Sequence, residues 1–147
     1  MSEMRDVLAT VTKLDGELHP HVAEVYLAMS TIAHELDEPK EAFKYAKKAI
    51  SVWRKIEGHS ESVGYVMAVL HLGVLCRKFS LVDLALRLGQ FALAALQARL
   101  GAGHPLVSQA YFHLAAVYLQ RGMTAEAEGA IAKATEILAA AREAAKS

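Results

Sequence analysis

HPLVSQAYFHLAAVYLQRGMTAEAEGAIAKA, residues 104–134, is the stretch whose reading decides the fold. Pro105 suits the first position of a helix, where its missing amide would have had no partner anyway. Tyr111, Leu114, Ala115 and Tyr118 then recur at helical spacing, and Gly122 stops the helix by accepting a left-handed backbone. A second stripe follows at Ala127, Ile131 and Ala134. The connection at Gly122 is short, so the two helices, Pro105 to Gln120 and Thr124 to Ala145, must double back as an antiparallel hairpin.

The same hairpin stands twice more upstream. Val69, Leu72, Gly73 and Cys76 precede Ala85, Gly89 and Ala92 at matching offsets, and Tyr26, Met29, Ser30 and Ala33 precede Ala42, Ala46 and Ala49. From Ala42 to Ala85 to Ala127 the period is 43 and then 42 residues. Small residues at these places let paired helices approach closely, while Tyr26, Met29, Leu72, Tyr111 and Leu114 fill the space between pairs. The spacing predicts helices from about Pro20 to Leu36, Lys40 to Ile56, Glu61 to Lys78 and Leu81 to Leu100. A short leading helix, Glu3 to Leu14, carries Met4, Val7, Leu8, Val11 and Leu14. Turns fall at Gly16, Asp37, Gly58-His59-Ser60, Phe79-Ser80, Gly101-Ala102-Gly103 and Gly122. The expected fold is therefore all-α: about seven helices in antiparallel hairpin repeats, stacked as a short right-handed solenoid.

Composition agrees and excludes several functions. The 147 residues are 54% hydrophobic and 22% charged, enough to bury a core. Sixteen basic and sixteen acidic side chains give a formal net charge of zero, which offers nucleic acid or anionic lipid no attraction. Apolar runs are broken by charge before reaching membrane-spanning length. One cysteine and no basic-then-apolar leader fit a reducing, cytoplasmic setting.

The helix Tyr111-Phe-His-Leu-Ala-Ala-Val-Tyr118, with Gly122 and Ala127, resembles the tetratricopeptide repeat. The standard repeat has 34 residues. A period of 42 to 43 with His-Pro helix starts, at His19-Pro20 and His104-Pro105, is more similar to the longer repeats of kinesin light chains. The resemblance implies a single domain over 1–147: an extra helix at 1–16 and repeats at 18–58, 59–101 and 104–147. It also implies a protein or peptide partner held on a concave face lined by the first helix of each pair. Light-chain repeats carry Asn just before the Leu of that helix; here Ala28, His71 and His113 stand there, and the chain has no asparagine.

Helical phase selects the candidate contact residues. They are Glu24, Leu27, Thr31 and His34 in the first repeat; Met67, Leu70, His71, Val74 and Arg77 in the second; and Gln109, Phe112, His113 and Gln120 in the third. Apolar contact falls to Leu27, Leu70 and Phe112, and polar contact to the histidines and Arg77. Residues 81–100, LVDLALRLGQFALAALQARL, are apolar on nearly every side. Leu86, Leu93 and Leu100 lie beside the core stripe at seven-residue steps, which points to an oligomer interface and a homodimer. The leading helix looks like half a hairpin, and the last helix has no polar cap after it.

Catalytic signatures are missing. There is no Gly-x-Gly-x-x-Gly, no phosphate-cradling Gly-x-x-x-x-Gly-Lys and no His-Glu-x-x-His. Seven histidines prompt a check for metal, but equivalent residues of stacked repeats lie roughly 10 Å apart, too far to share an ion. No cofactor and no metal are expected, and Cys76 reads as a buried, inert thiol. The sequence thus indicates a non-enzymatic adaptor or scaffold. Its rivals are a homo-oligomeric structural protein and a regulatory helical segment of a larger enzyme.

Overall fold

Each of the three prolines opens a helix, and each hairpin turns on a residue with positive φ. The computed structural model describes residues 2–56, 58–59 and 62–146, and among them are seven α-helices and no strand. They are α1 (Ser2–Asp15), α2 (Pro20–Glu35), α3 (Pro39–Lys55), α4 (Val63–Lys78), α5 (Val82–Leu100), α6 (Pro105–Gln120) and α7 (Thr124–Ala145). The expected helices fall on these within about two residues at each end, the usual slack in helix boundaries. Glu61, where α4 was expected to begin, and Ser60 of the preceding turn lie outside the described residues.

The helix starts and stops repeat as the sequence does. His19 and His104 are the N-caps of α2 and α6. Their Nδ1 atoms accept the backbone N–H of His21 and Leu106, each at 3.1 Å. At the far end of each first helix the chain closes in the same six-residue loop. Glu38 N–H donates to Ala33 O, Leu81 N–H to Cys76 O and Met123 N–H to Tyr118 O, all at 2.8 Å. This pattern needs a left-handed residue just before the donor. That residue is Asp37 (φ 58°), Ser80 (φ 64°) and Gly122 (φ 75°) in turn.

The chain divides into two compact units, Met1–Leu75 and Cys76–Ser147. In the first, α2 and α3 form a hairpin. Ala33, Ala42 and Ala46 are fully buried with Leu75, and Phe43 and Leu72 pack around them. Alanines contribute little area themselves but bring the two backbones close enough for Met29, fully buried, to gain about 1.5–3 kcal/mol from leaving water. The Tyr26 and Tyr45 rings stack at 6.3 Å. Trp53 lies against Gly64, where a β-carbon would come within 2.6 Å of the indole. The leading helix α1 packs on α2 yet buries none of its residues.

In the second unit α6 and α7 form the hairpin, with Ala110, Leu114 and Val117 buried on one helix and Ala127, Ala134 and Ile137 on the other. Helix α5 packs on α6, buries Ala85, Gly89, Ala92 and Leu96, and meets His113 of α6 at Ala85 and Gly89. Gly89 is required there: an added β-carbon would stand 2.6 Å from His113 Cδ2 and 2.8 Å from Leu114 Cδ2.

Candidate functional site

The first helices α2, α4 and α6 carry the candidate contact residues, and the structure sorts them into two groups. Glu24 and Thr31 on α2, and Gln109, Phe112 and Gln120 on α6, are exposed. Leu27, His34, Met67, His71, Val74 and Arg77 are half-buried. Leu70 and His113 are buried, at 4% and 5% exposure, so in this state neither presents a side chain to a partner. Both were expected on the contact face; His113 instead sinks against Gly89 of α5.

His71 is committed inside the first unit. Ser30 Oγ donates to Ala42 O at 2.6 Å, so it accepts from His71 Nε2–H at 2.8 Å. This fixes the neutral tautomer with its proton on Nε2. Burial, helped by the nearby His34, pulls the His71 pKa from 6.5 down to about 4. Ser30 was read only as a small packing residue. Its relay role depends on a partner 41 positions away, which periodicity does not show.

His113 is used differently in the second unit. Its Nε2–H donates to Ala85 O at 2.9 Å, because a carbonyl can only accept. Burial lowers its pKa; the bond to Ala85 works against that, and Arg77 adds to the lowering. The other ring nitrogen, Nδ1, is buried without a partner, and so is Arg77 Nε. One is an acceptor and the other a donor, and leaving each unpaired costs about 1–3 kcal/mol. Around them, Gln120 Nε2 donates to the Arg77 carbonyl at 3.4 Å, and Arg121 pairs with the exposed Asp83 at 2.7 Å. Phe112 (41% exposed) and Leu119 (54%) stand on the outer side of α6 with Gln109 and Gln120.

The residues expected at an oligomer interface, Leu86, Leu93 and Leu100, are all half-buried. The large apolar residues exposed on α5 are instead Leu84 (36%) and Phe91 (46%), also seven residues apart. A cleft of about 610 Å³ runs beside α1, lined by Leu8, Thr12, Leu18, Tyr26, Val52 and the charged Arg5, Lys13, Glu17 and Lys55. Sequence reading did not find it, since it exists because α1 sits on α2 without burying itself. Nor did it find the grouping of Asp15, His19 and His21 at the turn into α2. That turn was read for capping, and metal ligands were sought only between repeats.

Cys76 is buried, and burial raises its thiol pKa. No helix among the described residues is long and apolar enough to cross a membrane.

The tetratricopeptide-repeat family model matches residues 65–140, just over half of the chain, and the chain belongs to that family. Its fold is similar to that of BtubC (BKLC) from P. vanneervenii, with a TM-score of 0.78 and 24% identity over 95% of this chain and 55% of that one. It is also similar to two structures of a Podosopora anserina putative kinesin light chain with nearly identical TPR-like repeats. Their TM-scores are 0.72 and 0.69, at 18% and 19% identity, over 95% and 94% of this chain and 66% and 65% of theirs. The resemblance to kinesin-light-chain repeats read from the period and the His-Pro starts is thus met in the fold. The chain spans between about half and two thirds of the length of these structures. No curated protein matches it in sequence.

Proposed function

We propose that this chain is a non-enzymatic protein–protein interaction module, an adaptor or scaffold that takes a peptide or partner helix on the outer faces of its first helices. The tetratricopeptide fold is that of an interaction module. The observation that carries the finer reading is the α6 surface. Exposed Phe112 and Leu119 offer apolar contact between the amides of Gln109 and Gln120. Each of those amides can both donate to and accept from a peptide backbone, and the apolar pair supplies the anchor. In the first unit, half-buried Leu27, Met67 and Val74 offer apolar contact of their own.

Selection from a displayed random-peptide library tests this, with each selected peptide re-measured by fluorescence anisotropy against Phe112→Ser and Gln109→Ala variants. The expected result is at least about a tenfold loss of affinity for Phe112→Ser, since one large anchor often contributes 2 kcal/mol or more. Peptides that bind equally well to the variants would place recognition elsewhere and defeat the reading.

The exposed pair Leu84 and Phe91 on α5 supports a second reading, self-association as a homodimer. Light scattering after size exclusion distinguishes the two. A dimer that Leu84→Glu with Phe91→Glu dissociates, and that Leu86→Glu with Leu93→Glu only destabilises, supports self-association; a monomer at all concentrations removes it.

A further inference from the structure

The turn from α1 into α2 gathers three side chains that can ligate a metal. Asp15 Oδ2 lies 2.9 Å from His21 Nδ1 and 3.9 Å from His19 Nδ1, and the ligand atoms of all three residues fall within 4.8 Å of one another. Ligands held at about 2.0–2.1 Å around a tetrahedral ion stand about 3.3 Å apart, so only small side-chain rotations separate this arrangement from a coordination shell. We propose that Asp15, His19 and His21 form a binding site for one divalent transition-metal cation of the zinc class, with water completing its coordination.

The donor set selects this class. Two imidazole nitrogens and one carboxylate oxygen suit zinc and its neighbours, whereas calcium and magnesium take shells of oxygen. On binding, the ion takes the place of the hydrogen shared by His21 Nδ1 and Asp15, and the neutral, metal-bound His21 ring carries its single proton on Nε2, any second proton passing to solvent. His19 Nδ1 already presents a lone pair, which now accepts the His21 backbone N–H at 3.1 Å and would turn to the metal. The backbone holds the three in place. Gly16 (φ 87°) ends α1 directly after Asp15, and Pro20 keeps His19 extended, at φ −131° and ψ 144°. The negative end of α1 favours a cation beside Asp15, offsetting the positive start of α2.

The third repeat supplies an internal comparison. His104 caps α6 through the same Nδ1 contact, to Leu106 N–H, and Pro105 follows it as Pro20 follows His19. Capping therefore accounts for a histidine at both helix starts. It accounts for neither His21, whose counterpart is Leu106, nor Asp15, whose counterpart by the same offset is Leu100. The two extra ligands occur together at one start and are both absent from the other.

Isothermal titration of the full chain with zinc chloride near neutral pH tests the site. The expected result is one saturable site, with affinity lowered at least about tenfold in Asp15→Asn and in His21→Gln and unchanged in His104→Gln. Asp15 and His21 are exposed and His104 is half-buried, and circular dichroism checks that each variant keeps the wild-type helix signal. Absence of a saturable site overturns the proposal. So does a site that survives both Asp15→Asn and His21→Gln, or one that His104→Gln weakens equally, since either would place the ion on other histidines.

Discussion

Acid should weaken the first unit through His71, and the size of the effect follows from its relay. The ring donates to Ser30 and is packed away from water, so the protonated form loses solvation and gains no new acceptor. In the unfolded chain His71 takes a proton near 6.5, whereas in the native chain it resists until about 4. Between those values the unfolded state holds more protons, so stability falls as the pH falls through this window. Above it the ring is neutral in both states and contributes no pH dependence; below it both states are protonated and the loss is complete. At about 1.36 kcal/mol for each pH unit separating the two values, the loss is about 3 kcal/mol. Trp53 is the chain's one tryptophan and is buried in α3 of the same unit, so its fluorescence reports the unfolding that matters. Urea titrations of wild type and His71→Leu at about pH 7 and about pH 4 give the comparison. His71→Leu leaves the other titratable groups in place, so the difference between the two proteins isolates the ring. Wild type should lose about 3 kcal/mol more than His71→Leu over that interval. Equal losses in the two proteins would refute the reasoning, because they would mean that the native ring protonates as freely as the unfolded one.

Other substitutions test the remaining packing. Ser30→Ala removes the acceptor of His71 and an extra donor to Ala42, and should cost about 2 kcal/mol, falling to about 1 kcal/mol when His71 is already Leu; urea midpoints of the four proteins measure it. Ser80→Gly relieves a left-handed backbone at φ 64° and should raise stability by about 0.5–1 kcal/mol, seen as a higher midpoint in a circular-dichroism melt. Gly64→Ala drives a methyl group into Trp53, and after the gain in helix propensity should still cost about 1 kcal/mol and shift the Trp53 emission. Cys76 should react with a disulfide reagent roughly a hundredfold more slowly in the native chain than in urea, because the thiol is buried and its pKa raised.

The fold was legible because its signals are local and repeated. Pro20 and Pro105 mark helix starts within one residue, and Gly122 marks a stop through its own backbone preference. Asp37 and Ser80 carry no such preference, yet the repeat placed them at the same step as Gly122, and they adopt the same conformation. Side-chain partnerships were less legible. Helical phase assigned His113 to the outer surface, but Gly89 opens a space on α5 into which the ring sinks to reach Ala85 O. The signal was present, a glycine where the neighbouring stripe has alanine, but its meaning depends on which ring lies opposite. The exposed edge of α5 was missed for a related reason. Leu84 and Leu86 differ by about 200° around the helix. A sequence that is apolar on nearly every side does not say which of them the neighbouring helix covers.

The two histidines of the first helices decide what kind of recognition is left to this protein. His71 and His113 stand at corresponding places, 42 residues apart, and both carry the proton on Nε2 and are held neutral by burial. Each spends its one donor on its own unit, on a serine in one case and on a helix carbonyl in the other. A partner therefore meets no imidazole N–H from either residue. The outer face of α6 retains an aromatic ring, a leucine and two glutamine amides, and none of these carries charge. Affinity on such a surface has to come from apolar area, with the amides fixing register. Binding there should then be nearly indifferent to salt, in contrast to capture of an acidic or basic peptide, which screening would weaken.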